Sequence, residues 1–180
     1  ARGQTVILAA LEYFLDPGDS KKYNSGVITD GNIIVFSAGN DWSPTPAYPG
    51  AYHKFVCVSS VGQDNLPSWF TNYGRGVNIA APGGDSKLGI TILSTLPSEA
   101  KSAAGQDYGY IEGTSQATPQ VSSTVALGLS YAKKLGKKFT RDEFISMLLT
   151  SVDDLDNRLT GTKIAGDRTM NLDNYKGKMG

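Results

Sequence analysis

The chain has 180 residues, 39% hydrophobic and 19% charged, a make-up that suits one folded domain with a sizeable core. Its 17 basic and 17 acidic residues cancel with no run of like charge, so electrostatic capture of nucleic acid or of an anionic membrane has no footprint. The longest apolar run, residues 6–11, is far too short to span a bilayer, and the amino end lacks the charged-then-apolar layout of a signal peptide.

Along the chain, residues 5–15 place Val6, Ala9, Ala10 and Phe14, and again Ile7, Leu8, Leu11 and Leu15, at helical spacing, which predicts a largely buried helix ended by Asp16-Pro17-Gly18. Residues 19–31 are polar and irregular, after which residues 32–36 form a continuous apolar run that predicts a parallel strand covered on both faces. Three prolines and a tryptophan make residues 41–50 a loop, and residues 55–61 read as a second strand. Cys57, the only cysteine, sits in that strand, so no internal disulfide exists and a buried, inert thiol is expected. Residues 77–80 predict a short strand stopped by Ala81-Pro82-Gly83-Gly84, and residues 90–93 another. Residues 97–109 are small and polar, a surface excursion before residues 108–112. From Ser115, the series Ala117, Val121, Val125 and Leu129, with Thr124, Ala126 and Ala132, predicts a long helix with a small, buried face. Thr140-Arg141-Asp142-Glu143 is a capping box for a further helix whose apolar face is Phe144, Ile145, Leu148 and Leu149. Residues 151–180 show no strong period and read as an irregular tail, and no internal repeat or second domain separates from residues 1–180.

Chemistry concentrates in two segments. Glu112-Gly113-Thr114-Ser115-Gln116-Ala117-Thr118-Pro119 reads as a nucleophilic serine on the first turn of a helix: Gly113 lets backbone pass close to a substrate, and the helix dipole points at the hydroxyl and at any developing oxyanion. Pro119 is expected to fall in first turns whose amides lack helical partners. The same Gly-Thr-Ser also suits a plain serine N-cap. Upstream, Ser37-Ala38-Gly39-Asn40 puts a carboxamide at a strand's end, where its nitrogen can face a carbonyl held over Ser115. A turn asparagine in a left-handed conformation is the competing reading.

Taken together, these segments resemble the C-terminal half of the subtilisin-like serine peptidases, whose serine lies in Gly-Thr-Ser-Met-Ala-(Ser/Thr/Cys)-Pro and whose oxyanion asparagine closes an Ala-Gly-Asn segment. Tyr48-Pro49-Gly50-Ala51-Tyr52, Val56-Cys57-Val58-Ser59-Ser60-Val61, Ser68-Trp69-Phe70-Thr71-Asn72-Tyr73-Gly74 and Val77-Asn78-Ile79-Ala80-Ala81-Pro82-Gly83 extend the likeness in order over roughly residues 5–150. The resemblance implies a three-layer α/β fold with a mainly parallel sheet, present here in part, because the N-terminal strands and the aspartate and histidine motifs are missing. It implies a serine endopeptidase that forms an acyl-enzyme at Ser115, with the oxyanion held by Asn40 and the Ser115 amide. It assigns Ser37, Ala38, Gly39, Ala47, Tyr48, Pro49, Gly113 and Thr114 to substrate binding.

In such peptidases the triad runs Asp, His, Ser, so base and orienting carboxylate are expected before Ala1, and an initial alanine in place of methionine points to a processed or truncated chain. The one histidine, His53, stands in the loop after Tyr52 and is expected to be a surface residue, which leaves the chain inactive by itself. Gln116 replaces the usual methionine, and Gln120 a histidine that is not the base, so a packing or polar contact changes there and not the triad. No zinc spacing is present, and a weak cation site near Gly50 and Tyr52 is disfavoured because Asn78 stands where relatives carry aspartate; no cofactor is expected. The implied partners are a peptide or protein substrate and the missing N-terminal half, or self-association, and the implied location is extracellular or periplasmic. A non-catalytic scaffold or peptide-binding relative, with Gln116 and Gln120 marking relaxed constraint, is the alternative.

Overall fold

The computed structural model describes residues 2–16, 18, 26–97 and 107–180, with side chains from Val6 onward. Three β-branched or small-residue segments pair in parallel, Val35–Ser37 (β1), Val56–Val61 (β2) and Ile79–Pro82 (β3), in the order β1-β2-β3. Val35 stands opposite Val56 and Val58 opposite Ile79, so all carboxyl ends reach the same edge of the sheet. Every residue of the central strand β2 is buried, as two covered faces require. Cys57 lies in it, and burial pushes its thiol up to about 12.

One face is covered by helices. Thr114–Lys134 (α2) lays Ala117, Val121 and Val125 on Val56, Val58, Ile79 and Ala81, and Arg141–Thr150 (α3) adds Phe144 and Leu148. Of the predicted small face of α2, Ala117, Val121, Val125 and Ala132 are buried and Leu129 packs beside them, whereas Thr124 and Ala126 are exposed. The α3 capping box is present in both directions: Glu143 N donates to Thr140 Oγ1 at 3.2 Å and Thr140 N to Glu143 Oε2 at 2.7 Å.

Several expectations change. The first helix, Arg2–Leu15 (α1), forms but is not largely buried: Leu15 is covered, with Leu8 and Leu11 against Ile34 and Phe55, whereas Val6 is 71% and Tyr13 62% exposed. Its apolar pattern is nearly all round, and the described residues cover a single stripe. Asn32 is not the start of a strand; its backbone N donates to Leu15 O and its side chain to Phe14 O, closing the end of α1 and delaying β1 to Val35. β1 is half-buried and not covered on both sides, because it is an edge strand among the described residues. The strand expected at residues 90–93 is Ile92–Thr95 (β4), paired antiparallel with Tyr108–Ile111 (β5). Of the excursion at residues 97–109, the polar stretch at 19–31 and the turn at 16–18, residues 98–106, 19–25 and 17 lie outside the described residues.

The largest correction concerns the expected irregular tail at residues 151–180. Thr162–Ala165 (β6) and Arg168–Asn171 (β7) form an antiparallel hairpin, and Leu159, Met170, Leu172, Tyr175 and Met179 build a second core with Val61 on the sheet face opposite α2. The period was hidden because the inward positions of β6 are Lys163 and Ala165, while Ile164 is 72% exposed. Among the described residues no helix is long and apolar enough to cross a membrane.

Replacing Thr140 with alanine removes the acceptor for Glu143 N, and helix-cap losses of this kind cost about 1 kcal/mol. Urea denaturation of Thr140→Ala is expected to show a lower midpoint by that amount; a midpoint equal to the parent's would place the functional start of α3 elsewhere.

Candidate active site

The carboxyl end of β1 runs on through Ala38, whose N–H continues the ladder to Val58 O, and Gly39 to Asn40. Asn40 does not adopt the left-handed turn that was its competing reading; among nearby non-glycine residues Trp42 does, at φ 53. The Asn40 carboxamide is instead oriented by α2. Its Oδ1 accepts from Thr114 N at 2.9 Å and from Thr114 Oγ1 at 2.8 Å. With the oxygen used by two donors, Nδ2 faces away from Thr114.

Where Nδ2 faces is marked by Gly113, the N-cap of α2, at φ 153. A Cβ built there would lie 3.5 Å from Asn40 Nδ2, 3.6 Å from Ser115 N and 2.8 Å from Gln116 Oε1. The side-chain and backbone donors therefore border one small space, and glycine keeps that space open. Ser115 is exposed on the first turn of α2, and its hydroxyl makes no hydrogen bond among the described residues. The N-cap reading of Ser115 fails on geometry: the cap is Gly113, with no side-chain cap bond. Gln116, in the place of the usual methionine, turns Oε1 toward the same space, buried and without a hydrogen-bond partner.

Pro119 also sits differently from expectation. It lies inside α2, past the first turn, where an amide would have bonded the Ser115 carbonyl. Neighbouring side chains serve adjacent carbonyls: Thr118 Oγ1 donates to Thr114 O, and Gln120 Nε2 to Gln116 O and to Pro82 O. Gln120 thus keeps a polar tie between α2 and the end of β3.

The two segments expected to bind substrate pack on each other as one wall: Ala47 N donates to Ala38 O at 2.7 Å, the Ala47 Cβ closes on Gly39, and Gly50 packs against Ser37 O. Gly39 N reaches Thr114 Oγ1 at 3.3 Å. Tyr48 is 64% exposed beside this wall and joined to Pro49 by a cis peptide bond. His53 lies elsewhere. It is exposed, packs its ring against Tyr52 with centroids 4.6 Å apart, and precedes the amino end of β2, whereas Asn40 follows the carboxyl end of β1 in the same parallel sheet. Asn78 Oδ1 accepts from Cys57 N at 2.7 Å.

Sequence reasoning gave no role to several residues that hold this geometry. Asn72 is buried and clasps the Asn40 loop: its Oδ1 accepts from Asp41 N and Ser43 N, its Nδ2 donates to Ala38 O, and its N–H to Gly39 O. Glu112 accepts from Trp69 Nε1, Ser86 N and Ser86 Oγ. Asn72 stood inside a quoted motif, but nothing local to either residue announces its partners.

Comparison with known proteins fits this arrangement. Residues 14–167 match the Subtilase family, peptidase S8. The chain belongs to that family. The extracellular basic protease of Dichelobacter nodosus is 32% identical over 130 residues, which is 72% of this chain and 21% of the relative. The major intracellular serine protease of Bacillus subtilis is 30% identical over 147 residues, 78% of this chain and 42% of the relative. A solved structure of proteases from Pseudoalteromonas arctica matches with a TM-score of 0.60 at 31% identity, over 69% of this chain and 37% of that one. The chain thus spans between about a fifth and two fifths of the length of these relatives. The fold is a partial subtilisin-like α/β fold, and the family match reaches into β6, beyond the residue 150 expected from motifs.

Asn72→Ala would remove the acceptor of two partly buried amides and the donor to a buried carbonyl, so the Asn40 loop is expected to lose about 1–3 kcal/mol of stability. Chemical denaturation measures this; a variant as stable as the parent would show that the loop holds itself without the clasp.

Proposed function

We propose that the chain carries the serine and oxyanion half of a peptidase active site and that the complete protein is a serine endopeptidase. Ser115 Oγ attacks the peptide carbonyl carbon while its proton passes to a histidine; the carbon–nitrogen bond then breaks as that proton reaches the amine, and water releases the acyl group from Ser115. Asn40 Nδ2 and Ser115 N stabilise the oxygen that gains charge. Ser37, Ala38, Gly39, Ala47, Tyr48, Pro49, Gly113 and Thr114 hold the peptide around the bond that is cut. The observation that carries this reading is the double donation of Thr114 to Asn40 Oδ1, which turns Nδ2 to the space that Ser115 N also borders.

In this reading the base and its carboxylate come from polypeptide outside these residues, in keeping with relatives of which the matched part is only about a fifth to two fifths. That polypeptide seats against the outer edge of β1 and the exposed Val6, Ile7 and Tyr13 of α1, and without it the same apolar surface drives self-association. The chemistry asks for no cofactor. Secretion follows the extracellular relatives, although an intracellular one is equally similar.

Two expectations test the reading. Without a base the Ser115 hydroxyl stays protonated, so the 180-residue chain alone should hydrolyse peptides at background and resist a fluorophosphonate probe. Rapid stoichiometric labelling of Ser115 in the chain alone would show that a base is already present.

In the protein with its complete peptidase domain, Ser115→Ala should abolish the acyl-enzyme. Asn40→Ala should lower turnover by about 10²–10³, the usual cost of one oxyanion donor, with little change in KM. A complete protein without peptidase activity, whose two variants bind peptide like the parent, would instead favour the scaffold.

A further inference from the structure

Lys163 is the most deeply buried cation among the described residues, its side chain 4% exposed on the inward face of β6. Its Nζ donates to Asp85 Oδ2 at 2.8 Å and to Pro67 O at 2.8 Å, and pairs with Asp64 at 3.1 Å. Asp85 is fully buried. It opens the tight turn after β3: its Oδ1 accepts from Lys87 N, and its own N–H donates to Ile90 O.

The residues on either side of Asp85 grip the backbone that leads to the serine. Two positions before it, Gly83 O accepts from Gly113 N at 2.9 Å, an approach so close that a Cβ on Gly83 would strike Ser60 Oγ and come within 2.5 Å of Gly113 O. One position after it, Ser86 donates to Glu112 through N at 2.5 Å and through Oγ at 2.7 Å. Glu112 and Gly113 are thus set by residues 83 and 86, and the side chain between those two grips is a carboxylate held inside the protein by a lysine from the C-terminal hairpin.

We propose that Lys163 is a positioning residue of the peptidase reaction, one that acts through Asp85 to set Gly113 and with it the Ser115 amide in the oxyanion pocket. The inference rests on the reading of Ser115 and Asn40 given above. Its physical basis is the charge-assisted tether that the buried pair makes between the turn at residue 85 and the C-terminal hairpin. Without that pair the turn is no longer held to the hairpin, and its shift draws Gly83 and Ser86 off their partners. Lys163 touches no substrate, so its effect is on the reaction step and not on peptide affinity.

The experiment uses the protein with its complete peptidase domain and the variant Lys163→Met/Asp85→Asn, which removes both charges and leaves no fully buried ion unpaired. Circular dichroism sets a temperature at which the variant is folded, and turnover is measured there. The expected result is a fall in kcat of about 10- to 100-fold, as an oxyanion donor displaced on the ångström scale entails, with KM within about twofold. In an Asn40→Ala background the same two substitutions should change kcat by less than about threefold, because the pocket they serve is already broken. A merely structural lysine would leave kcat of the folded variant unchanged, or would lower it equally in both backgrounds, and either result overturns the proposal. Hydrogen–deuterium exchange supplies an arm independent of catalysis: peptides covering residues 110–117 should exchange faster in the variant, while those covering α3 keep the parent's rate. Unaltered exchange at residues 110–117 also overturns it. Failure of the underlying reading shows separately, as a parent whose kcat is indifferent to Asn40→Ala.

Discussion

Two donors on one residue, Thr114 N and Thr114 Oγ1, close on one oxygen of Asn40, and the rest of the candidate site depends on that contact. It joins the carboxyl end of β1 to the first turn of α2 across 74 residues of chain. An amide side chain on an exposed loop has two nearly isoenergetic orientations; here only one lets oxygen meet donors, so the nitrogen is aimed without being held directly. Everything behind the contact serves to keep its two ends in place. The parallel register of β1 with β2 delivers Asn40, the small face of α2 seats Thr114 over the same sheet, and Asn72 clasps the loop between them.

Local signals were legible in the sequence wherever the interaction is itself local. The Thr140 capping box spans four residues, and the apolar faces of α2 and α3 repeat with the turn of the helix, so both read largely directly. Ser115 and Asn40 were legible as motifs because the residue types around them are unusual in combination. Where the deciding contact is distant, the reading failed. Asn32 looks like the first residue of a strand until Leu15 and Phe14 are seen to need its donors. The apolar pattern of α1 records which residues suit burial, not which ones the described chain covers. Lys163 on the inner face of β6 is invisible to a search for apolar alternation, since its partner Asp85 lies 78 residues away.

The second core changes how the chain is divided. Read as a tail, residues 151–180 would be dispensable; in the fold they form the cover of one sheet face and send Lys163, Arg168 and Tyr175 into the loops around the site. Arg168 stacks 4.8 Å from the rings of both Trp42 and Trp69, and Tyr175 OH accepts from Trp42 Nε1. Trp42 follows Asn40 by two positions and Trp69 donates to Glu112, so the C-terminal hairpin touches the supports of both chemical segments. Helices from one side and the hairpin from the other compress the sheet whose carboxyl edge carries the site.

Gly113 and Gly83 are bonded to each other, and Ser86 is bonded to Glu112, 26 residues further along the chain. The described chain between those anchors, which includes β4 and β5 with their mostly exposed side chains, is therefore a detour whose two ends are already fastened together. Loop-closure cost grows only slowly with length once the ends are tied. Chain can be gained or lost in that detour over evolutionary time without disturbing the serine, so the rim of the site is free to diversify while its floor stays unchanged.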